Sequence, residues 1–218
     1  MKAPSTPAAR NVIRHPLTIG REQREKMNGH RGAVVWLTGL PASGKSTLAH
    51  AIEEKLLRSG CRTMVLDGDN IRHGLCADLG FSIADRNENV RRTGEVAKLL
   101  LECGVVAIVA LVSPVRSARE KLRESIPAGD FLEIYCKCPL SACRKRDPKG
   151  LYAKAESGGI PEYTGVSSPY EAPLAPALIL DTEHDTVEES VDRLMRFLLD
   201  KLGGNRGAKK EQSDEVSR

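Results

Sequence analysis

Between an apolar run and a helical pattern, the chain reads WLTGLPASGKSTLAHAIEEKL from Trp36 to Leu56. Within it, Gly39-Leu40-Pro41-Ala42-Ser43-Gly44-Lys45-Ser46 satisfies G-x-x-x-x-G-K-[ST], and Thr47 follows. Residue types at this spacing suit one task, holding the phosphates of a nucleotide. The main-chain N–H groups of such a loop converge on phosphate oxygens, and the N-terminus of the next helix adds partial positive charge. Glycine serves where the chain must approach an anion closely or take a positive φ. Lys45 is expected to reach the β- and γ-phosphates of ATP, and Ser46 to offer its hydroxyl to Mg²⁺. Gly39, Leu40, Pro41, Ala42, Ser43, Gly44, Lys45, Ser46 and Thr47 are therefore the expected ATP-binding residues. The loop alone does not separate kinases from GTPases, motor ATPases or ATP-fuelled switches.

A second constellation follows at Asp67-Gly68-Asp69-Asn70-Ile71-Arg72. Two acids at the carboxyl end of a strand sit where open α/β sheets bind ligands. An acid there can hold Mg²⁺ or take the proton of an attacking hydroxyl. Asp67 is the favoured base or metal-side acid, which makes Ser46 and Asp67 the expected metal ligands. In GFSIADRNENVRR, Gly80 to Arg92, the residues Arg86, Asn89 and Arg92 recur at i, i+3 and i+6, which is expected to set them near one face of a helix start. A guanidinium fork bonds two oxygens of a phosphate or sulfate at once.

These groups need elements to carry them, and the pattern supplies strands and helices in alternation. Strands are expected at 33–38, 62–66, 105–112, 131–137 and 177–182. Helices are expected at 18–27, 45–58, 85–104, 115–125 and 186–202, several ended by glycine. Alternation of this kind predicts an α/β chain, a parallel sheet with helices on both faces. Between Asp147 and Pro176 the periodicity weakens while Gly, Pro and Tyr accumulate, which predicts a lid over about 147–176. Residues 1–17 read as a flexible arm, 18–202 as the folded domain and 203–218 as a disordered polar tail.

Of the net charge of +4, residues 1–31 carry +5 (seven basic, two acidic) and residues 203–218 carry +1 (four basic, three acidic), leaving −2 for the body. A nucleic-acid binder concentrates positive charge on its folded body, and this one does not. No run of about 18 apolar residues offers a membrane span, and the first ten residues have no apolar stretch of the secretory kind. A cytoplasmic protein is expected. The six cysteines, Cys61, Cys76, Cys103, Cys136, Cys138 and Cys143, include no paired CxxC and no adjacent histidine, so reduced thiols rather than a metal site are expected.

Taken in order, GLPASGKST, LDGDNIRHGL, GFSIADRNENVRR, VSPVRSARE, DPKGLYAKA and YTGVSSPYEAP resemble adenylylsulfate kinase, the APS kinase of sulfate activation, from about Asn11 to Leu202. The resemblance implies a three-layer P-loop kinase fold with a central parallel sheet of about five strands, Mg²⁺ and a homodimer. It implies that ATP phosphorylates the 3′-hydroxyl of adenosine 5′-phosphosulfate to give 3′-phosphoadenosine 5′-phosphosulfate. Carried over by motif, Asp67, Asp69, Asn70, Arg72, Arg86 and Asn89 line the acceptor, Phe81 encloses its adenine, and Lys154, Tyr163 and Thr164 belong to the lid.

Lys45, Asp67, Asp69 and Ser113 are the catalytic candidates. Ser113 matches a serine that the family pattern associates with a phosphoserine intermediate in some bacterial members. Direct in-line transfer is the expected route, since no general base is evident beside it. The chain departs from the family at Pro41-Ala42, where Ser-Gly is more frequent, at Tyr163, where phenylalanine is usual, and at Val115, where a bulky residue is common. Two alternatives stay open: a kinase for another nucleotide or small alcohol, and a low-turnover ATP-binding regulatory subunit. A sulfurylase partner is possible under the first reading; no nucleic acid or membrane is expected as a partner.

Overall fold

A computed structural model of the chain describes Ile13 and residues 15–203. The tail beyond Gly203 and most of the expected arm lie outside the described residues.

β1 (Ala33–Thr38) is buried along its whole length, as its unbroken apolar run requires. It lies between β3 (Val106–Ala110) and β4 (Phe131–Lys137). β2 (Thr63–Asp67) flanks β3, and β5 (Leu178–Asp181) flanks β4, so the order is β2-β3-β1-β4-β5 with every pairing parallel. All carboxyl ends therefore open on one edge, and the loops after β1, β2 and β3 meet there. This is the five-stranded sheet that the alternation predicts.

Alternate residues of β1 feed two cores. Val35 and Leu37 pack with Leu48, Ile52 and Leu56 of α2 (Lys45–Arg58) and with Leu194 and Leu198 of α8 (Val187–Leu202). Val34 and Trp36 pack with Val90 and Leu101 of α4 (Ile83–Glu102) and with Leu122 of α5 (Arg116–Glu124). Cover on both faces buries the inner strands β1 and β3 completely and β4 nearly so, which holds the loops at the sheet's edge rigidly.

Element ends follow side-chain chemistry. Ser82 caps α4, its Oγ accepting from the Asp85 N–H at 3.1 Å, so the helix begins two residues before the expected Asp85. Thr186 is the cap of α8 rather than its first residue; its Oγ1 accepts from Glu189 N–H and the Glu189 carboxylate accepts from Thr186 N–H. The first helix, α1, is Arg21–Asn28 rather than 18–27, because Gly20 occupies the cap and donates to Gln23 Oε1 at 2.8 Å. Arg21 then fixes α1 to the sheet by donating to both Asp130 oxygens, at 2.5 and 3.0 Å.

Three short helices lack any sequence forecast: α3 (Gly68–Ile71), α6 (Leu140–Arg146) and α7 (Leu151–Glu156). The last two stand over a small separate core of Cys138, Cys143, Tyr152, Ala155 and Tyr163. Thus 147–176 contains a packed unit in addition to loop. All six cysteines are free, and five of them are buried, Cys103 being the exposed one.

Candidate active site

The phosphate loop joins β1 to α2. A Cβ on Gly39 would stand 2.6 Å from the Cys136 carbonyl oxygen of the neighbouring strand, so only glycine lets the loop leave the sheet this closely. Gly44 needs its freedom for another reason, a φ of 88° at the cap of α2. Ala42 also takes a positive φ, 60°, in a region that costs a residue with a Cβ roughly 1–2 kcal/mol. This is one of the two positions where the family more often has Ser-Gly. Tyr152 of α7 donates to Pro41 O at 3.1 Å, and Thr182 Oγ1 donates to Ser43 O at 3.0 Å, so the loop is braced from two sides.

Lys45 is buried and folded back on this loop, donating to Gly39 O at 3.0 Å and Leu40 O at 2.7 Å. Burial pushes its pKa down from the ordinary lysine value, against the pull of nearby thiols and of Asp67 and Asp69. Ser46 Oγ donates to Asp67 Oδ2 at 2.6 Å, and Asp67 Oδ1 accepts from Asp69 N–H at 2.9 Å as the cap of α3. Asp67 is buried, whereas Asp69 is exposed and paired with Lys149.

Opposite stands a cationic and aromatic wall. The half-exposed Phe81 ring has the Arg72 guanidinium 4.4 Å and the Arg86 guanidinium 5.4 Å from its centre. Arg72 donates to Leu79 O and Gly80 O; Arg86 donates to Phe81 O at 2.8 Å and to Glu162 O at 3.3 Å. Burial, and then the charge of Arg72, hold Arg86 below the usual arginine value. Asn89 is buried with its Nδ2 unpartnered. A buried amide left unpaired is costly and marks a place where a ligand can complete the bonding.

Ser113 follows β3 with a φ of 40°. Its hydroxyl accepts from Trp36 Nε1 at 3.1 Å and donates to Thr38 Oγ1 at 3.0 Å. No carboxylate or imidazole is among these partners.

One cleft of about 820 Å³ gathers these groups. Its lining includes Lys45, Ser46, Asp67, Asp69, Arg72 and Phe81. Arg86, Asn89, Ser113 and Tyr163 line it too. Tyr163 is mostly buried, its ring edge-on to Tyr152 at 5.2 Å, and burial pushes its phenol up to about 12. Gly39 and Ser43 are buried beneath the loop and Leu40 is half-buried; none of the three is in the lining.

The structure places four of the residues singled out in the sequence away from the cleft lining. Asn70 is exposed on α3 and does not line the cleft. Lys154 is exposed on α7, its stem against Gly159, and does not line it either; Lys149, absent from the expected set, does. Thr164 is fully buried behind the lining, its Oγ1 unpartnered. Arg92 bonds Asp78 and Glu88 on the outer face of α4. Sequence reasoning also missed the wall of Arg146, Asp147, Asp185 and Val187 that extends the cleft beyond Thr47. The cap signal at Asp185-Thr186, just after a sheet strand, was the available clue.

Comparison with known proteins agrees with this geometry. The family model described as adenylylsulphate kinase matches residues 31–181. The adenylyl-sulfate kinase of Acaryochloris marina is 53% identical over 188 residues, which are 86% of this chain and 92% of that one. The solved APS kinase CysC of Mycobacterium tuberculosis, in complex with AMPPNP and APS, is 48% identical with a TM-score of 0.73, over 77% of this chain and 98% of that one. A hexameric APS kinase from Thiobacillus denitrificans is 32% identical with a TM-score of 0.60, over 82% of this chain and 30% of that one. With a family model covering most of its length and a relative more than half identical, this chain belongs to the adenylylsulphate kinase family.

Proposed function

We propose that the chain transfers the γ-phosphoryl group of ATP to the 3′-hydroxyl of adenosine 5′-phosphosulfate, giving ADP and 3′-phosphoadenosine 5′-phosphosulfate. One observation carries the reading: a single cleft sets the phosphate loop opposite Arg72, Phe81, Arg86 and Asn89. The acceptor combines an adenine ring with adjoining phosphate and sulfate anions. A braced aromatic ring and two guanidiniums are the groups that recognise such a molecule.

In this reading the residues Gly39–Thr47 bind ATP, and Lys45 leaves the loop carbonyls for the transferring phosphoryl group. The Ser46 hydroxyl and Asp67 carboxylate, in direct contact, are hard oxygen donors of the kind Mg²⁺ takes, so these two would hold the ion. Bound there, Mg²⁺ supplies positive charge to the phosphate oxygens. Asp67, the buried acid, receives the proton of the 3′-hydroxyl late in the transfer. Asp69, exposed and paired with Lys149, ties the end of β2 to the start of the lid. Transfer is direct, a reading supported by the Ser113 hydroxyl bonding Trp36 and Thr38 with no carboxylate or imidazole among its partners. The same reading takes the enzyme as a cytoplasmic homodimer with a sulfurylase as a partner.

An ADP-release assay tests the reading, with adenylylsulfate set against adenosine monophosphate, small alcohols and buffer. Adenylylsulfate alone should raise ADP above the buffer rate. Equal rates with and without it would end the proposal. Asp67→Asn should abolish turnover, while Asp69→Asn should chiefly raise the KM for adenylylsulfate. Light scattering should return two subunits rather than one or six.

A further inference from the structure

Arg119 of α5 is 1% exposed and lies outside the cleft lining. It pairs with Glu133 of β4, itself 4% exposed, donating from Nε at 2.6 Å, and Arg123 reaches the other Glu133 oxygen. Burying such a pair gains little stability over apolar residues of the same volume, so its presence asks for a further cause. That cause is visible in the rest of the guanidinium. One terminal nitrogen donates to Ser113 O at 2.6 Å, and the other to Glu171 O at 2.7 Å. Ser113 is the strained residue on the cleft wall; Glu171 lies where the lid segment returns to the body.

A second strut runs in parallel. Tyr170, next to Glu171, has its hydroxyl 3.0 Å from Thr38 Oγ1, the same atom that accepts from Ser113. Its ring lies 6.2 Å from Tyr135 and 5.9 Å from the Arg119 guanidinium. The backbone closes the circuit where Glu171 N–H donates to Pro114 O at 2.9 Å.

We propose that Arg119 is a positioning residue: one buried fork fixes the Ser113 peptide and the returning end of the lid to each other, and so sets the shape of the acceptor side of the cleft. Three acceptors in three directions require a planar fork, which the single ammonium of lysine does not reproduce. Glu133 orients the fork, and its charge keeps the guanidinium from turning toward solvent. The inference rests on the proposed function, and it goes beyond it by assigning the acceptor geometry to a residue that touches neither substrate.

The test compares wild type, Arg119→Lys and Tyr170→Phe. Lysine keeps the charge beside Glu133 and removes the fork; phenylalanine keeps the ring and removes one hydroxyl. Turnover of adenylylsulfate is measured together with the Kd of an unreactive ATP analogue and the melting temperature. Arg119→Lys should lower kcat/KM for adenylylsulfate about tenfold or more, the size of a lost charged hydrogen bond, while the ATP-analogue Kd changes less than about threefold. Tyr170→Phe should move it the same way by less. Wild type inactive on adenylylsulfate would remove the functional reading itself. With wild type active, a kcat/KM within twofold of wild type in Arg119→Lys would overturn the inference. So would a parallel loss of ATP-analogue affinity, which marks general destabilisation. Should Arg119→Lys fail to fold, Tyr170→Phe decides: an unchanged kcat/KM there overturns the inference.

Discussion

Replacing Ser113 by alanine separates two roles for its hydroxyl, a carrier of the phosphoryl group or a fixed point in the wall. The structure favours the second and sets a size for the effect. Ser113 Oγ is the acceptor for Trp36 Nε1, and Trp36 is fully buried. Alanine leaves that indole N–H without a partner, at a cost of about 1–3 kcal/mol. Thr38 Oγ1 loses one donor but keeps its own bond to Val112 O at 2.8 Å and its contact with Tyr170. The φ of 40° adds nothing to the difference, since serine and alanine both carry a Cβ. In a domain of this size each kcal/mol lowers Tm by roughly 2–4 °C, so Tm should fall by about 2–12 °C. Turnover, measured by ADP release on the folded protein below that Tm, should stay within about tenfold of wild type, because no covalent step is lost. A quench of wild type with ATP alone should give no phosphoserine. Two results would refute the reasoning. One is a variant that binds both substrates and does not turn over, beside a phosphorylated Ser113 in wild type. The other is an unchanged Tm, which would mean that the Trp36 bond does not exist in solution.

Three further outcomes are expected. Lys45→Ala should lower turnover by about two orders of magnitude or more, since charge stabilisation in such sites is worth several kcal/mol, with the melting temperature little changed; near-wild-type turnover would contradict the assignment. The Arg91 and Arg92 guanidiniums hold the Glu88 carboxyl at about 2, below its ordinary value, so its stabilising effect is complete above the unfolded pKa near 4.5 and disappears as pH falls through about 2. The gap in Tm between wild type and Glu88→Gln, small because the pair is near the surface, should therefore narrow as the buffer is taken from pH 6 toward pH 3, and a widening gap would be inconsistent. Burial pushes the Cys136 and Cys143 thiols up to about 12. With Cys103 the exposed cysteine, an aromatic disulfide reagent at pH 8 should modify one thiol quickly and the other five only after denaturation; fast modification of Cys138 or Cys143 would show the lid core to be open.

The limits of α2, β1 and β4 are legible residue by residue because each coincides with a change of chemistry: a glycine, a charged turn, or the end of an apolar run. The short helices are not, because six or seven residues hold no helical period of their own. Their stability comes from Tyr152 and Cys143 beneath them, which is tertiary information. The same limit explains the lysines of the lid. Lys149 and Lys154 lie five residues apart, one before α7 and one within it, and only the packing of that segment decides that the first lines the cleft. Arg92 fails for a calculable reason. Six residues turn a helix by about 600°, or 240° beyond a full turn, so Arg92 cannot share the face of Arg86. Strain is equally hidden. The three non-glycine residues with positive φ among the described residues, Ala42, Ser113 and Glu162, all border or bond into the cleft, and none has a residue type that announces it.

Under the proposed function, the groups that would bind phosphate in this cleft are arranged differently on its two sides, and the difference has a physical logic. On the ATP side the donors are main-chain amides, fixed by β1, α2 and the braces from Tyr152 and Thr182. A triphosphate is common to many reactions, and a rigid loop serves all of them. On the acceptor side the donors are long side chains, which ordinarily lose about 1.5–2 kcal/mol of rotamer freedom when a ligand orders them. Here much of that loss is borne during folding. Arg72 is tied to Leu79 O and Gly80 O, and Arg86 to Phe81 O and Glu162 O, before any substrate arrives. A guanidinium has five N–H donors, so each arginine keeps donors in hand for an anion after its anchoring bonds are made. Lysine at either position would forfeit the anchor and the fork together. The orientation of both arginines thus depends on carbonyl groups that no motif displays, which is why the arginines can be found in the sequence and their orientation cannot.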